Sequence, residues 1–387
     1  MGAGVSRIET IDVIPVRIPV KAAFNFATGS VRPDAGAPHV FVRVSDSDGV
    51  VGWGEARPSV GWSYETPHTV VSTLRHYLAP VLRGIHLHDI QQLHEQMQRT
   101  LGRGPSLGQP IARAAVDTAV FDLRARKLGL TLRELLGGGR DRREVSLSFT
   151  VTAHEPLDLE RQVAHAYESG FRHFNYKLGV HPETDVSTAQ CIRAIAGERV
   201  FVWADANQSL DLPAARLLSA RLAEVGVNLF EQPVPADRFH HMSALRQATA
   251  MALAVDEASV GATDFFRYAA ENLVDYLVVK LTRNGGIAPT LDQMAVARSA
   301  GLPMVISGLT ESLLAKVAVC QVAAAWGCTG PAALNGSQFL DENPLFPEKP
   351  SLETGATVTL NDAPGLGVEP DTEALERWRD PAFTHDD

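Results

Sequence analysis

Val200-Phe201-Val202-Trp203-Ala204-Asp205-Ala206-Asn207-Gln208 is a short apolar run that stops at an acid and two amides. A run this short and this uniformly apolar suits a strand buried on both faces, as in a parallel sheet. Asp205 then stands where the strand ends, in a mouth rather than a core. Two later runs end the same way. Asn228-Leu229-Phe230-Glu231-Gln232-Pro233 stops at Glu231, and Leu253-Ala254-Val255-Asp256-Glu257 stops at Asp256. The interval from Asp205 to Glu231 nearly equals that from Glu231 to Asp256. Each has the length of one strand plus one helix, so three acids occupy the same end of three successive strands.

Around these runs the strand–helix alternation is continuous. Strand-like runs fall at 144–151, 171–178, 200–206, 227–233, 251–257, 274–282, 303–308 and 332–335, with amphipathic stretches such as 213–222 between them. Eight strands alternating with helices predict a (β/α)8 barrel of the TIM type. Such barrels take about 250 residues, which leaves about 137 of the 387 for another unit. A doubly wound open sheet is the competing architecture. It calls for a Gly-rich phosphate loop after its first strand, and Phe149-Thr150-Val151-Thr152-Ala153-His154 has none.

The front of the chain reads differently. Runs 7–20 and 39–55 are strand-like, the second carrying the hairpin signal Asp48-Gly49. Long irregular segments are expected at 21–38 and 56–67, and helices at 67–83, 87–101 and 109–127. The expectation is an α+β capping domain over 1–140, to which 350–387 returns, and a catalytic barrel over 141–349.

Composition narrows the function. A formal net charge of −10 argues against a nucleic-acid surface and against anionic membranes, while leaving an anionic substrate open if a cation reverses the local sign. Cys191, Cys320 and Cys328 are too scattered for a disulfide framework or a thiolate zinc site. With no secretory core at the start and no run of membrane-spanning length, a cytoplasmic protein with reduced thiols is expected.

In a barrel, reactive groups gather at the C-terminal ends of the strands. Read in order, those ends supply Lys177, Asp205 with Asn207, Glu231, Asp256 with Glu257, and Lys280. Three carboxylates without His or Cys specify a hard divalent cation, Mg²⁺ or Mn²⁺. The second and sixth strands face each other across the mouth, so one lysine addresses each side of a substrate held between them. Removal of a proton next to a carboxylate, through a metal-stabilised enediolate, is the chemistry this set suits.

The same residues carry a family resemblance. Ala114-Ala115-Val116-Asp117-Thr118-Ala119-Val120-Phe121-Asp122-Leu123, Phe174-Asn175-Tyr176-Lys177, Asp205-Ala206-Asn207-Gln208, Glu231-Gln232-Pro233, Asp256-Glu257 and Lys280-Leu281-Thr282-Arg283-Asn284-Gly285-Gly286 stand in order at barrel spacing. The chain resembles the enolase superfamily, in its muconate-lactonising-enzyme branch within the mandelate racemase/muconate lactonising enzyme family. The resemblance implies Asp205, Glu231 and Asp256 as Mg²⁺ ligands and Lys177 and Lys280 as the acid/base pair. It also implies Asn207 and Glu257 as supports of the metal shell and a homo-oligomer as the assembly. The mandelate-racemase branch, with a His–Asp pair on the seventh and sixth strands, is not matched by Lys280 or by Val305-Ile306-Ser307-Gly308.

Two departures bear on the substrate. Asn175 replaces the first lysine of the family's Lys-x-Lys motif, removing a positive charge. Asn335 and its neighbours on the eighth strand replace the aspartate pair of dipeptide epimerases, which argues against a free dipeptide. Glu311 is a candidate for a polar or cationic substrate group, and Phe24, Trp62 and Tyr64 are candidate pocket aromatics or plain packing residues. His39, His154, His173, His240 and His241 lack ligand spacing and read as surface or satisfied residues. The expected activity is a Mg²⁺-dependent isomerisation of a small carboxylic or N-substituted amino acid, by racemisation, epimerisation or cycloisomerisation. The rival readings are a syn-dehydratase, a metal-free Schiff-base aldolase and a non-catalytic metal-binding barrel.

Overall fold

The structure, a computed structural model, describes residues 6–26, 29–102, 104, 107–179, 181–328, 330–347 and 352–383. Strands β1 (Ile8–Ile18), β2 (Phe24–Phe26), β3 (Gly29–Val31), β4 (Ala37–Asp46) and β5 (Val51–Ala56) open the chain. Of these, β1, β4 and β5 form an antiparallel sheet in the order β1-β4-β5. The Asp48-Gly49 turn forms where expected, and Asp46 closes it by accepting the N–H groups of Asp48 and Val50 at 3.0 and 2.9 Å. The segment 21–38 is not wholly irregular, because β2 and β3 pair within it as a short hairpin.

Behind the sheet lies the Pro110–Leu128 helix, buried along almost its whole length. Its approach is unusually close, and β5 permits it by carrying glycine at two positions facing the helix. A Cβ on Gly54 would lie 1.9 Å from the Ala115 carbonyl oxygen, and one on Gly52 would lie 2.2 Å from that of Ala119. The Asp122 carboxylate locks this joint by accepting the N–H groups of Trp53 and Leu366, at 2.8 and 2.7 Å.

The barrel follows. Strand β6 (Glu144–Ser146) is succeeded by β7 (Ser148–Val151), β8 (His173–Lys177), β9 (Phe201–Asp205), β10 (Leu229–Glu231), β11 (Leu253–Val255), β12 (Tyr276–Val279), β13 (Met304–Ser307) and β14 (Ala332–Ala333). Strands β7 to β14 form one parallel sheet in chain order, and a bridge between Leu147 and Ala332 brings its two edges together into a nearly closed barrel. Trp203, Leu229, Ala254, Val278, Val305 and Ala333 pack as a layer inside it. The run 144–151 is not one strand: β6 leaves the barrel and pairs with β16 (Thr357–Thr359), which pairs in turn with β15 (Glu353–Thr354). The chain's end reaches the front sheet, where Arg17 donates to the Trp378 carbonyl and Asp380 to that of Pro15, each at 2.9 Å. Cys320 is core, inside the Leu313–Ala325 helix. Among the described residues no helix is long and apolar enough to cross a membrane.

Cap and barrel are joined by a buried carboxylate. Glu55, at the end of β5, accepts the Ser312 and Ala315 N–H groups at 2.9 and 3.2 Å, at the start of the Leu313–Ala325 barrel helix, and a hydrogen bond from His39 Nδ1 at 2.7 Å. Burial opposes the Glu55 charge, but the hydrogen bonds from His39 and Ser312 hold its carboxyl below the ordinary range. Burial drives His39 down to about 4, outweighing the attraction of Glu55. His39 therefore takes its proton near pH 4 when folded but near pH 6.5 when unfolded. Between those values the unfolded chain binds more protons, so stability is complete above about pH 6.5 and falls as the pH drops toward 4. The loss from this residue is on the order of 3 kcal/mol. Thermal melts followed by circular dichroism should show this decline, and His39→Gln should flatten it; coincident profiles would assign the slope to other groups.

Candidate active site

Parallel register brings the polar strand ends side by side. Lys177 pairs laterally with Asp205, and Asp205 with Glu231, at the C-terminal ends of β8, β9 and β10. Asp256 and Lys280 lie one residue beyond β11 and β12. All five belong to one cluster: Lys177 Nζ donates to Asp205 Oδ2, and Lys280 Nζ donates to Asp256 Oδ2 at 2.5 Å. Asp205, Glu231 and Asp256 are between 2 and 4% exposed, so water contributes little to holding their charge.

The electrostatics follow from that burial. Burial, reinforced by Asp205 and Asp256, pushes the Glu231 carboxyl well above its ordinary value. Burial and the neighbouring Asp256 push Glu257 up to about 7. Asp256 stays below its ordinary value because Arg283 and Lys280 outweigh its burial. For Lys177, burial favours the neutral amine, but Asp205 and Glu231 overcome it and hold the amine above its ordinary value. Arg283 Nε lies 3.7 Å from Asp256 Oδ1. Positive charge among the acids thus comes from Lys177, Lys280 and Arg283. Among the described residues no three His, Cys, Asp or Glu side chains are drawn together tightly enough to grip an ion in this arrangement. The donor set nonetheless fits a hard cation: it is all oxygen, it is buried, and Glu231 Oε1 and Asp256 Oδ1 have no hydrogen-bond partner among the described residues.

The other candidates divide into those at the mouth and those turned from it. Asn207 donates its side-chain amide to Glu257 Oε1 at 2.9 Å and its backbone N–H to Asp205 Oδ1 at 2.8 Å, so it braces two acids at once. Trp62 comes over from the capping loop and lays its ring 4.2 Å from Lys280 Nζ and 3.9 Å from the Arg283 guanidinium. Asn175 and Asn335 line the cavity on the opposite wall. Asn175 Oδ1 accepts from Ser148 Oγ at 2.9 Å, and both amides reach Thr150 Oγ1, making a neutral hydrogen-bonding surface. Glu311 is buried against Thr282 Oγ1 at 2.9 Å and the Leu309 N–H, and the cavity wall there is built by residues 307–310 instead. Tyr64 is 65% exposed and borders an adjoining cavity. The side chain of Phe24 lies outside the described residues.

Three contributors went unrecognised in the sequence. Trp203 forms part of the cavity floor. Arg283 follows Lys280 by three residues on a helical turn, a spacing that places both on one face. Gln232, next to Glu231, accepts the Asp256 and Ala258 N–H groups at 3.0 and 3.1 Å and thereby sets the Asp256 turn.

Residues 8–137 match the family model described as the mandelate racemase / muconate lactonizing enzyme N-terminal domain, and 158–374 the one described as enolase C-terminal domain-like. The chain belongs to the mandelate racemase/muconate lactonizing enzyme family. Within that branch of the enolase superfamily it is similar to an N-succinyl-L-Arg/Lys racemase of Bacillus cereus, 27% identical over 96% of this chain and 97% of the relative. The crystal structure of that racemase superposes with a TM-score of 0.88 at 25% identity, covering 96% of this chain and 98% of the other. A chloromuconate cycloisomerase of Pseudomonas sp. is 30% identical over 96% of this chain and 99% of its own. A dipeptide epimerase of Enterococcus faecalis, solved with Mg and the dipeptide L-Leu-L-Tyr, superposes with a TM-score of 0.84 at 26% identity, covering 94% and 99% of the two chains.

The Asp256 turn of this family member supplies a direct test of the bracing. Gln232→Leu leaves two backbone amides without their acceptor and should cost about 2 kcal/mol or more in urea denaturation. A loss below about 0.5 kcal/mol would show that the amide does not hold the turn.

Proposed function

We propose that this enolase-superfamily isomerase removes and returns a proton on the carbon next to the carboxylate of a small carboxylic or N-substituted amino acid, by racemisation, epimerisation or cycloisomerisation. The observation that carries the reading is the pair of amines, Lys280 buried and Lys177 about a quarter exposed. Each is hydrogen-bonded to an acid of the same cluster, and both face one cavity from the second and sixth barrel strands.

Asp205, Glu231 and Asp256 would hold a Mg²⁺ or Mn²⁺ ion, with Asn207, Glu257 and Gln232 fixing their orientation. When bound, such an ion supplies the positive charge that stabilises the negative charge growing on the substrate carboxylate. The protein's own groups do the proton work. Lys177 and Lys280 stand on opposite sides of the barrel mouth, so an amine on one side accepts the proton while the ammonium on the other delivers one, inverting the carbon. Racemisation of either enantiomer uses both lysines in exchanged roles, and cycloisomerisation needs one. Trp62 closes the mouth over Lys280 and keeps bulk water from this side of the substrate. The neutral wall of Asn175 and Asn335 offers hydrogen bonds without charge. That supports a substrate whose group on this side is a carbonyl, amide or hydroxyl rather than an ammonium.

Proton NMR in D₂O with Mg²⁺ tests this on N-acyl amino acids, proline derivatives and muconates. Wild type should wash the α-proton out of both enantiomers of its substrate. Lys177→Ala and Lys280→Ala should each slow the wash-out from one enantiomer by roughly 10²- to 10⁴-fold. Exchange that survives both substitutions would sink the mechanism. A separate expectation concerns the ion: exhaustive chelation should abolish turnover, and Asp205→Asn, Glu231→Gln or Asp256→Asn should each weaken Mn²⁺ binding at least about tenfold by calorimetry. Undiminished Mn²⁺ binding in all three variants would place the ion elsewhere.

A further inference from the structure

The two lysines are supported differently. After Lys177 the chain is tied to the barrel: Leu178 donates to the Asp205 carbonyl at 2.8 Å, and Gly179 donates to Asp185 Oδ2 at 3.1 Å. After Lys280 comes a single helical turn, Leu281–Asn284, then Gly285 and Gly286, then the Ile287–Ser299 helix. Barrel contacts steady the turn's side chains, Thr282 on Glu311 at 2.9 Å and Asn284 on Gln293 at 2.6 Å. The turn's exit, however, is held by the capping domain.

Asp117 of the Pro110–Leu128 helix is fully buried, and its Oδ2 accepts the N–H of Ile287, a residue far away in sequence. Gly286 has φ +117°, and a Cβ there would lie 2.3 Å from that same Oδ2, so the carboxylate occupies the space a side chain would need. The other oxygen, Oδ1, pairs with His94 Nε2 at 2.6 Å, from the Ile90–Leu101 helix of the cap. Two cap helices therefore hold one acid against the backbone that closes the Lys280 turn. We propose that Asp117, fixed in place by His94, is a positioning residue for Lys280, with no counterpart behind Lys177 among the described residues. The cap thus sets the placement of one of the two amines and leaves the other to the barrel.

The proposal is tested on the full-length protein with His94→Gln, Asp117→Asn and Gly286→Ala. His94 is a quarter exposed, so His94→Gln keeps the test alive if either buried variant fails to fold. Hydrogen–deuterium exchange with mass spectrometry should show faster exchange over residues 281–288 and no change over 178–186. Competitive acetylation of lysines with acetic anhydride should change at Lys280 by threefold or more while Lys177 holds its wild-type rate. Equal changes at both lysines, or none at either, overturn the proposal. A catalytic arm rests on the proposed function: in D₂O, wash-out from the enantiomer that needs Lys280 as base should slow about tenfold, with the other enantiomer unaffected. If wild type washes out both and the variants slow both alike, the anchor is wrong. If wild type washes out neither while Lys280 still responds selectively to labelling, the functional reading falls and the anchor stands.

Discussion

Crowded negative charge is the constraint around which this molecule is built. Parallel strands lie about 4.8 Å apart, so Asp205 and Glu231, paired in register, end side by side, while Asp256 stands two residues beyond Ala254, the register partner of Glu231. At an effective dielectric of 20, two unit negative charges about 5 Å apart repel by about 3 kcal/mol. Asp205, Glu231 and Asp256 accept that repulsion with little water to relieve it. Lys177, Lys280 and Arg283 supply the opposing charge, and Asn207 and Gln232 fix the acids' turns through hydrogen bonds. That cost is what the proposed cation and proton chemistry would draw on.

A second use of carboxylates holds the cap in place. Glu55, Glu65, Asp117 and Asp122 each accept backbone N–H groups of a distant element. Glu65 takes those of Ile111 and Ala112 at 2.8 and 3.0 Å, tying the loop that bears Trp62 to the Pro110–Leu128 helix, and burial pushes its carboxyl up to about 7. Such bonds are directional, so they set the angle at which the loop meets the barrel as well as the strength of the joint.

The barrel and its acids were legible because both obey a period. Apolar runs that end in an acid at near-equal intervals, Asp205, Glu231 and Asp256, leave few alternatives, and Lys177 and Lys280 fall into the same frame. What escaped depends on tertiary neighbours. Nothing local in 144–151 announces that β6 leaves for Thr357–Thr359 near the far end of the chain, nor that β2 and β3 pair within 21–38. Glu311 reads as available until Thr282 and Leu309 are seen to occupy it. His39 reads as surface or satisfied, yet it is buried and among the described residues its Nε2 has no partner. Arg283 and Gln232 stood inside quoted motifs, but their work lies in where a turn directs them, which spacing alone does not reveal.

The chain's last stretch has a consequence for biosynthesis. Strand β6 and the outer edge of β1 are each completed by segments beyond residue 350, through Thr357–Thr359 and through Trp378 to Asp380. As a polypeptide leaves the ribosome amino end first, β6 and the Pro15–Arg17 stretch of β1 stay unpaired on these sides until the segment beyond residue 350 has emerged. The front sheet, made before the barrel, is thus sealed only after every barrel strand has followed it out, when residues 378–380 cross back to Pro15 and Arg17.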